Sequence, residues 1–261
     1  SNLKSFDLPE ISDIRIYYSN AERIISFTEE NEVSVLIKGE DDYPNSLSDL
    51  RDSPILIYSR GDKSLLKDFD KNIAIVGTRK PENYSKKCAE KISSFCSENG
   101  YNVISGLAIG CDSHAHVGCL DAYGEGKTIA VLPGGINVVQ PKKNFHLYQR
   151  IIDEGGCIIS EMPPGFIPLK FSYVQRNRLQ SGLSKYVFIV EAQKKSGTMQ
   201  TYKFAKKQGR SIGVLSKEVL IDKMIYSGNK FAIEDSAVEI KTLDDFKNFL
   251  RGAPSKNLSL F

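Results

Sequence analysis

No run of apolar residues in this chain approaches the roughly 18–20 needed to cross a bilayer, and its start lacks a basic-then-apolar signal pattern. The five cysteines (Cys88, Cys96, Cys111, Cys119 and Cys157) form no C-x-x-C pair and are odd in number. A disulfide framework is therefore not expected, and reduced core cysteines in a cytoplasmic protein with no membrane partner are. Histidine is scarce, and of the three, His114 and His116 stand two apart beside Asp112. Residues two apart on a helix face different directions, and no further Cys/His cluster is near, so no metal is expected and Asp112 reads as a cap or structural residue. No G-x-G-x-x-G follows any strand-like run, which removes the dinucleotide fingerprint, and no cofactor is expected. Internal repeats and low-complexity tracts are absent as well.

What the chain does contain is a regular alternation. Apolar runs at 55–58, 73–76, 101–105, 128–132, 157–160, 186–190 and 211–215 are continuous instead of alternating with polar residues. Such runs suit parallel strands buried on both faces. Between them lie helical spacings, for example Tyr84, Cys88 and Ile92, closed by Asn99-Gly100, and a stretch from Thr198 to Gln208 closed by Gly209. The class expected is α/β: a doubly wound, mostly parallel, Rossmann-like sheet with right-handed crossovers. Residues 1–42 read as a small N-terminal appendage with helical hints from Ala21 to Phe27, 43–250 as the main domain, and 251–261 as a tail. A turn is expected at Gly228-Asn229, a short strand at 237–240 and a helix over 243–250.

Ligands of such sheets bind outside the carboxyl ends of the strands, and the loops there share a character. Gly77-Thr78-Arg79 follows the first central strand, and a loop holding Gly106, Leu107, Ala108 and Gly110 follows the second. Arg176-Asn177-Arg178 sits between two apolar runs, preceded by Lys170-Phe171-Ser172-Tyr173. Lys195-Ser196-Gly197-Thr198 then opens a helix. Guanidinium forks, glycine turns and the free N–H groups of a helix start together make an anion site. Aromatic rings among cations add a means of stacking bases; Phe171 reads as core, and Tyr173 as either core or stacking. Glu161 reads as an acceptor of N–H groups or a partner of one of the two arginines. Residues 170–223 carry twelve Lys/Arg against three Asp/Glu in a chain whose net charge is only +3, so one region is selectively basic. A polyanion partner needs such a face, although Lys203, Lys206 and Lys207 also fit a solvated helix surface.

These motifs carry a resemblance. Y-P-x-x-L at Tyr43, V-G-T-R (76–79), S-G-L-A-x-G-x-D-x-x-A-H (105–116), T-I-A-V-L (128–132), G-G-x-I-I-S-E (155–161), R-N-R (176–178) and V-E-A-x-x-x-S-G-T (190–198) resemble the DNA-processing protein A family, DprA/Smf, in the family's order. The resemblance covers roughly residues 43–216. It implies an extended Rossmann fold, single-stranded DNA binding, homodimerisation, delivery of a RecA-type recombinase during transformation, and no catalysis. Its DNA pocket would use Gly77, Thr78, Arg79, Gly106, Leu107, Ala108, Gly110, Lys170, Tyr173, Arg176, Asn177, Arg178, Lys195, Ser196, Gly197 and Thr198. The alternative within the same superfamily is a sensor of nucleotide-derived ligands or a phosphoribohydrolase. Thr201 stands where such an enzyme would need a glutamate, which leaves its chemistry without an evident carrier.

Overall fold

The computed structural model describes residues 11–252; the first ten residues and 253–261, most of the expected tail, lie outside the described residues. Nine strands among them form one sheet: β1 (Val33–Ile37), β2 (Leu56–Gly61), β3 (Asn72–Val76), β4 (Asn102–Ser105), β5 (Thr128–Leu132), β6 (Cys157–Ser160), β7 (Tyr186–Ile189), β8 (Ser211–Leu215) and β9 (Val238–Ile240). The helices are α1 (Ile11–Glu30), α2 (Asn45–Ser48), α3 (Asn83–Glu98), α4 (Cys111–Leu120) and α5 (Phe145–Asp153). They continue with α6 (Lys170–Gly182), α7 (Thr198–Lys207), α8 (Glu218–Ile221), α9 (Ser227–Glu234) and α10 (Leu243–Leu250).

Every residue of β3 to β7 is buried, as continuous apolar runs require when both sheet faces are covered. Alternate residues serve opposite faces. Ala74, Val76, Ile104, Val187 and Ile189 meet α6 and α7 through Leu179, Leu183, Met199 and Tyr202. Ile73, Ile75, Val103 and Phe188 meet α3, α4 and α10 through Ile92, Ala115 and Phe246. Ala130 and Ile158 pack on Tyr148 and Ile151 of α5, with Ile24 and Phe27 of α1 against that cluster. The α3 and α7 helices end where Gly100 and Gly209 take positive φ of 73° and 67°, a left-handed stop that a β-carbon would disfavour.

The strand order is β1-β2-β6-β5-β4-β3-β7-β8-β9, parallel from β6 to β9, with β1 and β2 antiparallel at one edge. The chain builds outward from β3 to β6, then returns to place β7 on the other side of β3. Loops leaving the carboxyl ends of β3 and β7 therefore run in opposite directions, which opens a crevice at that junction.

Three sequence expectations change here. Residues 33–37, assigned to an appendage, form β1 and pair with β2, and the helical hint before them is the twenty-residue α1. Gly228-Asn229 is no turn but part of α9. Asn229 is fully buried: it accepts the Ala192 N–H at 2.7 Å and donates to the carbonyls of Val190 and Leu215 at 3.0 and 2.9 Å, tying together the carboxyl ends of β7 and β8. A buried amide with three partners reads in sequence like a surface turn because only the fold supplies them.

His116 is also fully buried and lies in a defined tautomer. Thr128 gives its hydroxyl hydrogen to the Val103 carbonyl at 2.9 Å, so Nδ1 of His116, 2.6 Å from that hydroxyl oxygen, carries the proton. Nε2 accepts the Leu107 N–H at 3.3 Å. Burial, with the Arg176 charge adding to it, holds the imidazole pKa down to about 3. A depressed folded-state value means that this group's contribution is complete above the ordinary value of 6.5 and is lost as pH falls below it. Chemical denaturation at pH 7 and pH 5 is expected to show lower stability at pH 5, with the difference reduced in His116→Gln. In the tightly packed α3–α4 pair, a β-carbon at Gly118 would fall 2.5 Å from Glu90 Cα. Gly118→Ala is expected to cost about 1–3 kcal/mol through forced separation of the helices, read as a lower thermal midpoint.

Candidate nucleic-acid interface

Four side chains of α6 recur at helical spacing: Tyr173, Arg176, Asn177 and Gln180, at i, i+3, i+4 and i+7. This stripe faces the crevice between β3 and β7 and forms one wall of a cavity of about 370 Å³. Opposite it lie Val76, Gly77, Thr78 and Arg79 after β3, Ala108 and Asp112 at the start of α4, and Ser196, Gly197, Thr198 and Thr201 at the start of α7. Ten of the predicted residues thus meet in one place: Gly77, Thr78, Arg79, Ala108, Tyr173, Arg176, Asn177, Ser196, Gly197 and Thr198.

The loops are fastened from beneath. Thr78 N–H donates to the Glu191 carbonyl at 2.8 Å, Glu82 N–H to the Glu191 carboxylate at 2.9 Å, and Cys111 N–H to the Thr78 carbonyl at 3.1 Å. Glu191 itself is 1% exposed and stands just after β7, so one residue holds the β3 loop against the neighbouring strand. A β-carbon at Gly77 would sit 2.7 Å from Cys111 Cβ, which explains the glycine there. Asn177 donates to the Gly197 carbonyl at 3.2 Å and ties α6 to the start of α7, where the Met199 and Gln200 N–H groups donate to the Ser196 and Gly197 carbonyls at 3.2 and 3.0 Å.

Two cations dominate the cavity, and they differ. Arg79 is exposed, and its guanidinium lies 5.1 Å from the centre of the Tyr173 ring. Arg176 is buried; its Nη1 donates to the Val131 carbonyl at 2.6 Å, and Nε has no acceptor among the described residues. Burial lowers its pKa to about 10, with the Asp112 charge opposing the shift and the Arg79 charge adding to it, so it stays protonated at neutral pH. Burial raises the Asp112 carboxyl above its ordinary value while the Arg176 charge pulls it back. Gln180, with its amide turned to satisfy both ends, accepts the Gly106 N–H at 2.9 Å and one Arg176 N–H at 3.1 Å.

Six predicted residues stand outside the cavity lining. Arg178 is two positions from Arg176 and so faces another way on the helix. Its guanidinium is held by both oxygens of Glu161 at 2.8 and 2.6 Å and by Asp52 at 3.0 Å. Its guanidinium is buried while its carboxylate partners reach toward solvent, and the two arginines do not line one cavity. Gly106 is the space against which the Arg176 guanidinium lies. Leu107 is fully buried at φ 53°, fixed by His116 and by the Asn144 side chain, which donates to its carbonyl at 2.8 Å. Gly110, at φ 84°, abuts the Thr78 and Arg79 carbonyls where a β-carbon would collide. Lys170 and Lys195 are exposed; Lys170 continues the stripe of Tyr173 one turn outward.

Other residues were misread or missed. Phe171, expected in the core, is 52% exposed. Asp112 lines the cavity beside Arg176 instead of serving only as a cap, and Gln180 and Thr201 join it. Gln180 completes the helical spacing of Tyr173, Arg176 and Asn177, the signal that could have found it. The basic segment does not act as one patch either. Lys185 pairs with Asp70, Lys206 with Asp235 and Arg178 with Glu161, while Arg210 donates to the Ser181 and Gly182 carbonyls at the end of α6.

Comparison with known proteins agrees with this fold. The family model described as DNA recombination-mediator protein A matches residues 34–251. The chain is 32% identical over 201 residues to the DNA processing protein DprA of Bacillus subtilis, covering 77% of this chain and 66% of that protein. It is 38% identical over 181 residues to the DNA processing protein DprA of Streptococcus pneumoniae, covering 69% and 62%. The chain thus spans less than two thirds of these relatives' lengths. The X-ray structure of the Streptococcus pneumoniae protein superposes with a TM-score of 0.76 at 31% identity, over 85% of this chain and 76% of that one. DNA processing protein A of Helicobacter pylori, whose structure addresses its single-stranded DNA binding mode, gives 0.73 at 31% identity, over 84% and 96%.

The two arginines should separate in stability measurements. Arg178→Ala removes a buried guanidinium from the partly exposed Glu161 and is expected to cost about 1–3 kcal/mol, while exposed Arg79→Ala should stay within about 0.5 kcal/mol of the parent; urea unfolding of both variants checks this.

Proposed function

The chain belongs to the DNA recombination-mediator protein A family, and from that premise we propose that its β3–β7 cavity binds single-stranded DNA, supporting recombination or uptake of incoming DNA without catalysis. Members of this family act in DNA processing and recombination. The observation that carries the reading is the convergence of Arg79, Tyr173, Arg176 and the start of α7 on one carboxyl-edge cavity. Arg79 and the positive end of the α7 dipole suit phosphates, and the Tyr173 ring suits a base. Lys170 and Lys195, exposed beyond the lining, extend the track for further phosphates.

Homodimerisation, delivery of a RecA-type recombinase and action in the cytoplasm belong to the same proposal. They rest on family membership and on the sequence. Among the described residues no helix is long and apolar enough to cross a membrane.

The enzymatic alternative gains one feature from the cavity and loses another. Thr201 is buried in its wall without a carboxylate, whereas Asp112 supplies one from α4. Asp112, however, stands beside a buried guanidinium whose charge it balances, a structural role.

Fluorescence anisotropy with a labelled oligonucleotide is expected to show binding that weakens steeply between low and moderate salt. Arg79→Ala should lower affinity about three- to tenfold and reduce the log–log salt slope by about one, as loss of one phosphate contact does. Lys91→Ala, on the exposed side of α3, should leave both unchanged. Incubation with nucleoside monophosphates is expected to release no free base. Absence of binding at low salt, or clear base release, would overturn the proposal.

A further inference from the structure

The helix α1 packs on the body over only part of its length. Ile24 and Phe27 join the cluster around Tyr148, and Thr28 is buried, whereas every residue from 14 to 23 is exposed. A helix segment so exposed is marginal in water by itself. Its surface is nevertheless strongly apolar. Ile14, Tyr17, Tyr18 and Ile25 are 50%, 67%, 69% and 55% exposed. Ile14, Tyr18, Ala21 and Ile25 recur at spacings of four, three and four, the a/d pattern of a coiled-coil seam. Ile16 belongs to a second stripe, with Asn20, Arg23 and Phe27, which faces the loop at Pro163 to Gly165.

The seam is symmetric about its own centre. Read backwards, its spacing is again four, three and four. Two antiparallel copies therefore set Ile14 against Ile25 and Tyr18 against Ala21, each pairing occurring twice. Large meets small in the middle and isoleucine meets isoleucine at the ends, the self-complementarity that a two-fold interface needs. A parallel pair would stack Tyr18 on Tyr18 and Ala21 on Ala21, crowding one layer and emptying the next. Charge agrees with the antiparallel sense. Arg15 and Glu22 are seven apart on one flank of the seam, and reversal brings Arg15 of one copy beside Glu22 of the other.

Other occupants match this face less well. An anionic lipid surface or a nucleic acid calls for excess Lys and Arg, and α1 carries Arg15 and Arg23 against Asp13, Glu22, Glu29 and Glu30. Val35 and Ile37, on the same face of β1 as the buried Val33, are also exposed and widen the apolar surface on the side of the sheet that α1 covers. Covering the four large α1 side chains removes roughly 400 Å² per copy, about half of a standard interface, so the association is expected to be weak and reversible.

We propose that α1 pairs antiparallel with α1 of a second copy through the seam of Ile14, Tyr18, Ala21 and Ile25. The inference rests on the self-association within the proposed function, names its surface, and stands apart from the DNA reading. The sheet edge at β1 is five strand spacings from β3, about 24 Å, so the cavities of both copies remain open.

Sedimentation equilibrium of the full chain from micromolar to submillimolar concentration tests this. The average mass of the parent is expected to rise with concentration. Ala21→Glu, a good helix former at an exposed position that puts two carboxylates into the seam, should abolish the rise. Arg15→Glu and Glu22→Arg should each weaken association about three- to tenfold by setting like charges together, and the double variant should restore it. A constant parent mass overturns the proposal. So does an equal rise in Ala21→Glu, which leaves homodimerisation through another surface standing. A double variant no better than the single ones overturns the antiparallel pairing. Binding of labelled oligonucleotide, read separately, decides the DNA proposal in every case.

Discussion

The parallel pairing of β3 with β7 is the constraint on which the rest of this molecule depends. The two strands are distant in sequence, and their pairing forces the β3 and β7 loops apart at their carboxyl ends. The crevice between them needs no special residues to exist, because topology creates it. Glu191 then converts an opening into a defined site. Its carbonyl and carboxylate hold the β3 loop through Thr78 and Glu82, so Arg79 is presented from a backbone that has little freedom.

Onto this frame the helices bring chemistry in graded polarity. The exposed Arg79 and the start of α7 offer cationic and dipolar character to a ligand arriving from solvent. Deeper in, Arg176 and Asp112 are buried together, each shifting the other's ionisation in the direction that keeps both charged. Cation and anion in one cavity distinguish this site from a simple phosphate cradle. The cost of burying Arg176 is met in part by the Val131 carbonyl and the turned amide of Gln180, and Gly106 leaves room for its planar head.

The resemblance visible in the motifs and the family match describe the same protein, but the roles within the motifs differ from those the order of residues implies. The R-N-R element looks like a unit. On a helix its two arginines point apart, one into the cavity and one into an ion pair with Glu161 and Asp52. The S-G-L-A-x-G-x-D stretch likewise looks like a phosphate loop. In the fold, Gly106 and Gly110 give way to other groups, Leu107 is locked in a left-handed conformation, and Ala108 and Asp112 line the cavity.

The strands of the sheet, the helices closed by Gly100 and Gly209, and the location of a site at the strand ends were legible from the sequence, because apolar period and glycine stops are local signals. Membership of the family was legible for a related reason: its motifs are short and contiguous. What only the tertiary structure decided depends on partners far away in the chain. That holds for β1 joining the sheet, Asn229 buried among three backbone groups, Phe171 exposed, and Arg176 and Arg178 divided between the cavity and an ion pair. A side chain's direction is set by helical phase and by what packs against it, and Glu161, Asp52 and Val131 come into reach of α6 only when the sheet closes.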